Sequence, residues 1–361
     1  MKPIHVCLML VFNVVGCQVE RPAEPHSWAL LPFEKVDSLN PILTAHSGST
    51  FFCPVTRGQV HWEAQDVYNP AVVVKEGKVY MLYRAEDTLK VVNGTSRLGL
   101  AVSEDGLHFT RLTEPVFYPS TDSMLIYEWK GGCEDPRVVE DSSGRYILTY
   151  TAYDGQTARL CVATSTDLHT WIKHGLVFKQ PELKNMWSKS GSIVCRVMPD
   201  GRMVAEKVNG KYWMYWGEQG FLASSDNLLD WTYIADAVGQ PKQIIPIRND
   251  LDIFDNALVE PGPPAIITPD GIVLIYNGAR RNPQTNGIDT YCGGQALMDI
   301  RDPIKLIARL DTPFIRPEKP YELTGLVNKV TFSEGLALFK GRWFLYYGTA
   351  DSRIAVAQRP L

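Results

Sequence analysis

One pattern recurs five times along the chain and constrains its fold more than any other. A turn residue is followed by a short run that ends in an aromatic. The runs are Gly77-Lys-Val-Tyr-Met-Leu-Tyr83, Gly144-Arg-Tyr-Ile-Leu-Thr-Tyr150, Gly210-Lys-Tyr-Trp-Met-Tyr-Trp216, Asp270-Gly-Ile-Val-Leu-Ile-Tyr276 and Gly341-Arg-Trp-Phe-Leu-Tyr-Tyr347. Successive starts are 67, 66, 60 and 71 residues apart. Each run is short, β-prone and bounded by turn residues, which predicts a strand. A second run follows in every unit, at Leu98, Leu160, Phe221, Gly294 and Arg353. Another precedes it, at Ala71–Val74, Arg137–Val139, Met203–Ala205, Ala265–Ile267 and Leu336–Leu338. Three or four strands repeated five times without helical periodicity predict an all-β chain built as a five-bladed β-propeller. A pair of β-sandwiches is the rival, and five similar units argue against it.

The N-terminus reads differently. Lys2 precedes the apolar run Val6–Val15, then Gly16-Cys17. That is the order of an export signal, and the run is too short to span a membrane. Val14-Val15-Gly16-Cys17 resembles a bacterial lipobox, with Cys17 as the lipidated residue. The expected organisation is therefore a signal at 1–17, a tether at 18–40 and a catalytic propeller at 41–361. The expected location is the bacterial cell envelope, with a lipid anchor in the membrane. The remaining five of the seven cysteines are widely spaced and odd in number. They show no zinc spacing or disulfide framework and read mostly as buried free thiols. A net charge of −4 gives no nucleic-acid footprint.

Polar residues cluster where the units open and where the aromatic runs end. The second unit opens with Gly131-Gly-Cys-Glu-Asp-Pro-Arg137. Glycine permits close backbone approach and proline fixes φ, so Glu134, Asp135 and Arg137 sit at a stiff strand entrance. Adjacent acids beside an arginine suit acid–base work on a polar substrate, or else form a structural ion pair in a turn. Other openings carry Asn69-Pro70, Glu260-Pro261 and Glu334-Gly335. After the aromatic runs come Arg84 and Asp87, Asp154, Glu218, Asn277 and Arg280, and Asp351. Acids, amides and arginines at matched positions predict a ligand site where the units converge.

With these motifs the chain resembles glycoside hydrolase family 130. The resemblance runs from about Asn69 to Ala357. It rests on Asn69-Pro70, Tyr83-Arg-Ala-Glu-Asp87, Gly132-Cys-Glu-Asp-Pro-Arg137, Gly262-Pro-Pro-Ala265, Tyr321-Glu322 and Tyr346-Tyr-Gly-Thr-Ala-Asp351. It implies a five-bladed enzyme acting on β-mannoside oligosaccharides with inversion, as a phosphorylase or as a hydrolase. It matches Asp135 to the catalytic acid, whose proton reaches the glycosidic oxygen through a sugar hydroxyl. It matches Asn69, Arg84, Arg137 and Asp351 to positions that hold the mannose, and Asp87 joins them as a substrate-binding candidate. The phosphorylases place cations where phosphate sits, in a His-Arg-Pro-like segment and as a lysine before Gly-Pro-Pro. This chain has Gly217-Glu218-Gln219 and Val259-Glu260 instead. Two carboxylates repel phosphate, and one of them can activate water. The resemblance thus implies an exo-acting, inverting hydrolase with Asp135, Glu218 and Glu260 as catalytic residues, acting on β-1,2-linked mannosides. No metal or other cofactor is expected. Two alternatives stay open: a phosphorylase holding phosphate with Arg280, Arg281 and unplaced lysines, and a non-catalytic glycan-binding lipoprotein.

Overall fold

The computed structural model describes residues 26–89, 94–250, 252–282, 284 and 287–361. The signal, Cys17 and the first part of the expected tether, 18–25, lie outside them. All five aromatic runs are strands: Lys78–Glu86, Tyr146–Tyr153, Tyr212–Trp216, Gly271–Arg281 and Arg342–Thr349. Among the described residues helix is limited to four-residue α-helical turns at Leu125–Glu128 and Pro320–Leu323 and a 3-10 turn at Pro181–Leu183. Among the described residues no helix is long and apolar enough to cross a membrane.

The turn residues explain the constant offset of the runs. Glu76-Gly77, Asn209-Gly210 and Lys340-Gly341 each have positive φ at both positions. That is the two-residue hairpin geometry whose twist matches the flanking strands. Each aromatic strand pairs antiparallel with a strand on either side, giving five antiparallel sheets. The first contains Asp66–Lys75, Lys78–Glu86 and Ser96–Ser103. The second contains Gly132–Glu140, Tyr146–Tyr153 and Ala158–Ser165. The fourth contains Leu258–Pro261 with Ala265–Thr268, Gly271–Arg281 and Ile288–Asp299. The fifth contains Thr331–Phe339, Arg342–Thr349 and Arg353–Pro360.

The third sheet departs from the sequence reading. Its first strand is Ser192–Val197, which pairs with Tyr212–Trp216 at Ser192↔Tyr215 and Ile193↔Met214. Met203–Ala205, expected in that place, instead folds back as a hairpin on Cys195–Val197. The pairing passes over the nearest β-prone run, so this sheet opens earlier, at Lys189-Ser190-Gly191.

The tether expected to end at residue 40 also needs correction. Leu30 exchanges two 2.8 Å backbone hydrogen bonds with the Gln295 side chain. Glu34–Lys35 then pairs with Ala357 and Gln358 at the edge of the fifth sheet. An unpaired strand edge recruits any chain that can supply partners, and this segment does so. The five described cysteines are buried free thiols, as read from the sequence.

Neighbouring sheets touch at their openings. Ser96 pairs in parallel with Gly132, and Val194 with Ala265. A Cβ on Gly132 would run into the Ser96 backbone, and one on Gly131 into the Tyr153 ring. The two glycines are therefore required by the approach of the first two sheets.

Candidate active site

The sheet openings aim their polar residues through one repeated device. The ladders of the first, second and fifth sheets slip register at Asn69, opposite Thr149–Thr151, and at Glu334. A bulge of this kind re-aims the extra side chain. Asn69 and Asp135 both adopt left-handed backbone, at φ 49° and 47°. Asn and Asp are the residues that accept that conformation most readily after glycine. Pro70 and Pro136 follow them, so neither site misses a ladder N–H. Asp351 enters the same region by a turn at φ 47°.

These residues converge on one pocket. Asn69, Arg84, Asp135, Glu218, Glu260 and Asp351 all line it, as the sequence reading requires. The Asn69 amide donates to Asp135 Oδ1 at 2.6 Å. Arg84 Nη1 donates to the same oxygen at 2.9 Å, and its Nη2 pairs with Glu86 at 2.8 Å and Glu134 at 2.9 Å. Its guanidinium lies over the Tyr68 ring. Asn69 Oδ1 is buried without a hydrogen-bond partner among the described residues. It lies against Gly348, whose lack of a side chain leaves room for it.

Lys189, at the opening of the third sheet, is the residue that sequence reasoning missed. Its ammonium lies 3.4 Å from Asp135, 3.5 Å from Glu260 and 3.9 Å from Glu218. Asp135 and Glu260 thus face each other across one ammonium. Placing Met203–Ala205 first in the sheet hid the Lys189-Ser190-Gly191 opening, and with it the signal. Ser190 donates to Glu260, and Trp187 Nε1 donates to Glu218 at 3.0 Å. The two glutamates are neighbours because the Val259 N–H bonds the Glu218 carbonyl at 3.1 Å, joining the end of the third sheet to the start of the fourth. Neither pairs with Arg280 or Lys207. Arg280 is bound to Asp289, and Lys207 lies over the Tyr212 ring.

Two expected site residues are placed elsewhere. Asp87 is fully buried against Arg97 at 2.6 Å and accepts the Thr95 N–H, so it braces the loop behind the pocket. Arg137 is also buried off the pocket. It donates to the Pro261, Gly262 and Asp135 carbonyls and pairs with Glu334 at 2.7 Å. It clamps the second and fourth openings together and does not reach a ligand. Asp154 turns to Arg159, and Asn277 bonds the Ser333 backbone. Both are structural.

Burial and charge set the protonation of the cluster. Burial pushes the Asp135 carboxyl up, but Lys189, Arg84 and Arg137 together override it and hold it well below the usual range. Glu134 goes the other way, to about 7, because burial and the adjacent Asp135 outweigh Arg84. Asp351 also rises to about 7, through burial against Arg84 and beside Asp135. Burial and the Glu260 charge raise Glu218. Burial disfavours the Lys189 ammonium, yet Glu260, Asp135 and Glu218 keep it charged. Groups pushed in opposite directions in one cleft are the mark of acid–base machinery.

An all-β scaffold that gathers carboxylates and cations at its sheet openings is suited to acid–base chemistry on a polar ligand. The comparisons narrow this further. Residues 44–361 match the family profile described as β-1,4-mannooligosaccharide phosphorylase, and the chain belongs to glycoside hydrolase family 130, enzymes that act on mannosides. A 1,2-β-oligomannan phosphorylase of Thermoanaerobacter sp. (strain X514) is 34% identical over 83% of this chain and 92% of its own. A structure of a glycosidase-like protein from Bacteroides thetaiotaomicron VPI-5482 superposes with TM-score 0.87 at 45% identity, covering 92% of this chain and 97% of that one. Another superposes at 0.88 and 41% identity, covering 95% and 98%. It is described as showing that the family of mannoside phosphorylases contains hydrolases that target β-1,2 mannosidic linkages in Candida mannan.

Proposed function

We propose that this protein is an exo-acting, inverting β-mannoside hydrolase for β-1,2-linked substrates, built as a five-bladed β-propeller. The observation that carries the reading is the charge of the pocket. Six of its lining residues are carboxylates (Glu86, Glu134, Asp135, Glu218, Glu260 and Asp351) against two cations, Arg84 and Lys189. A phosphate dianion needs an excess of cationic donors, and this wall offers the reverse. The contrast drawn from Glu218 and Glu260 alone overlooked Lys189, yet that ammonium is already shared among three acids. The five-sheet repeat supports the propeller.

In this reading Asn69, Arg84 and Asp351 grip the mannose in the cleaved subsite. Asp135 is the acid; it is ionised in the free pocket and must take up its proton as substrate binds, while Glu218 with Glu260 places and activates water on the other side. Inverting glycosidases hold acid and base about 6.5–9.5 Å apart, with room for that water. Arg137 acts through Asp135 and the Pro261-Gly262 backbone.

Two observations favour phosphorolysis as a second reading. Lys189 is a buried cation in the pocket, and relatives about a third identical are named as phosphorylases. The experiment that separates the readings incubates the mature protein with β-1,2-mannobiose, with and without millimolar phosphate. Free mannose formed first as the α-anomer, without phosphate, supports hydrolysis. A requirement for phosphate, or mannose 1-phosphate as main product, overturns it. Glu218→Gln and Glu260→Gln should each slow hydrolysis by about 10²-fold or more. No release of mannose under either condition would leave a glycan-binding protein. The envelope location and the lipid at Cys17 belong to the same proposal. Absence of fatty-acid label in the wild type, or label that survives Cys17→Ser, would remove the lipid from Cys17.

A further inference from the structure

Trp187 stands out once the pocket is assigned. It is 50% exposed. Its loop, however, is fixed on both sides. The Ser188 N–H bonds the Ala158 carbonyl and its hydroxyl accepts the Leu160 N–H, each at 3.0 Å. Met186 packs against the core. Upstream, Arg159 donates to the Lys184 carbonyl at 2.7 Å and to Asn185 at 3.0 Å, and Asp154 holds Arg159 in turn at 2.7 Å. An anchored loop that still leaves an indole in water forgoes the stabilisation of burying it. Exposed apolar surface beside a polar cleft marks a place for a ligand.

The indole has one polar atom, and it is used. Nε1 donates to Glu218 Oε2 at 3.0 Å. Glu218 lines the pocket, so the indole edge stands at the pocket wall. Leu326, 46% exposed, and Leu258 add apolar surface to the lining. The pocket lining thus combines carboxylates with apolar side chains. A pyranose ring has the matching chemistry, with hydroxyls at its rim and C–H groups on its faces. Aromatic rings supply such apolar area with little loss of side-chain freedom.

We propose that Trp187 is a positioning residue for Glu218 and that its exposed ring packs against a sugar of the bound mannoside. This rests on the hydrolase reading above. The N–H holds one carboxylate oxygen of Glu218 and leaves the other to face the water. The ring face gives a bound mannosyl unit its contact.

The test compares Trp187→Phe, which removes the N–H and keeps a ring, with Trp187→Ala, which removes both. Kinetics on β-1,2-mannobiose are measured from pH 4 to 9, with thermal unfolding as a check on folding. In Trp187→Phe, kcat should fall by about tenfold, as for loss of a hydrogen bond to a charged group, with KM within about twofold. The acidic limb of its pH–rate profile should move to higher pH, because the lost donor no longer favours the Glu218 carboxylate. Trp187→Ala should show the same limb and also raise KM by about fivefold or more. A merely structural tryptophan would lower the unfolding midpoint and leave the limb in place. Wild-type kcat and pH profile in Trp187→Phe, or wild-type KM in Trp187→Ala, overturns the proposal. If the wild type turns over only with phosphate, the hydrolase reading fails instead. The same two variants, read in phosphorolysis, then decide Trp187 by the same criteria.

Discussion

Asn69 and Asp135 open successive sheets, share a left-handed backbone before proline, and meet through a 2.6 Å hydrogen bond. A left-handed φ in a non-glycine residue costs roughly 1–3 kcal/mol and persists only where its surroundings enforce it. Here the enforcing groups are visible. Arg137 holds the Asp135 carbonyl at 3.0 Å, and the Arg84 guanidinium holds its carboxylate at 2.9 Å. The strain aims two polar side chains at one point, where a regular ladder would turn them away.

Asp135→Asn keeps the shape of that point and removes its ability to carry a proton. If Asp135 is the acid, kcat on β-1,2-mannobiose should fall by about 10²–10⁴-fold. Retention of more than roughly a tenth of wild-type kcat would remove the assignment. Asn69→Ala removes the amide that donates to Asp135 Oδ1, so kcat/KM should fall at least about tenfold, the value of one hydrogen bond to a charged group.

Arg84→Ala should weaken both fold and turnover. Three carboxylates lean on this one guanidinium, and leaving buried charge unpaired costs about 3–5 kcal/mol. kcat/KM should fall at least about tenfold, the value of one hydrogen bond to a charged group. Asp351→Ala should show a similar kinetic loss. Wild-type kcat/KM in both variants would place them outside the substrate site.

Much of this was legible in the chain. The hairpin turns Glu76-Gly77 and Lys340-Gly341 fix where each aromatic strand begins, so the repeat could be read by offset alone. The Asn-Pro and Asp-Pro bulges could be read because proline at a strand opening has few other uses. What could not be read was direction. Arg84 and Asp87 both follow the first aromatic strand, yet Arg84 faces the pocket while Asp87 turns behind it to Arg97. Arg137 stands two residues after Asp135, on the side of the strand that points into the protein. Lys189 was hidden by a pairing that skips the nearest β-prone run. Trp187 carries no motif, and only its exposure beside Glu218 draws attention to it.

Asp87→Ala separates a brace from a binding residue. It would strand Arg97, whose guanidinium is 1% exposed, without its carboxylate partner. The expected loss is about 3–5 kcal/mol of stability, read as a lower denaturant midpoint. KM for mannobiose should stay within about twofold at a temperature where the variant is folded, since a brace contributes little direct binding energy. A normal midpoint with a raised KM would return Asp87 to the substrate site.

The pH dependence of stability tests the buried acids directly. Asp351 rises to about 7 from an ordinary 3.8, chiefly by burial and despite Arg84, and Glu134 reaches about 7 from 4.5. In each case the folded protein binds the proton more tightly than the unfolded chain. Between about pH 4 and pH 7 the native state therefore carries more protons, and stability falls as pH rises through this window. Asp135 works in the opposite sense, but its lowered value confines its effect to pH below about 4, so it does not mask the trend. Unfolding in urea should show a higher midpoint at pH 5 than at pH 8. Asp351→Asn removes one of the two titrating groups and should flatten that slope, raising stability at pH 8 relative to the wild type. A variant with the wild-type slope would mean that Asp351 titrates near its ordinary value and is not held neutral by its site.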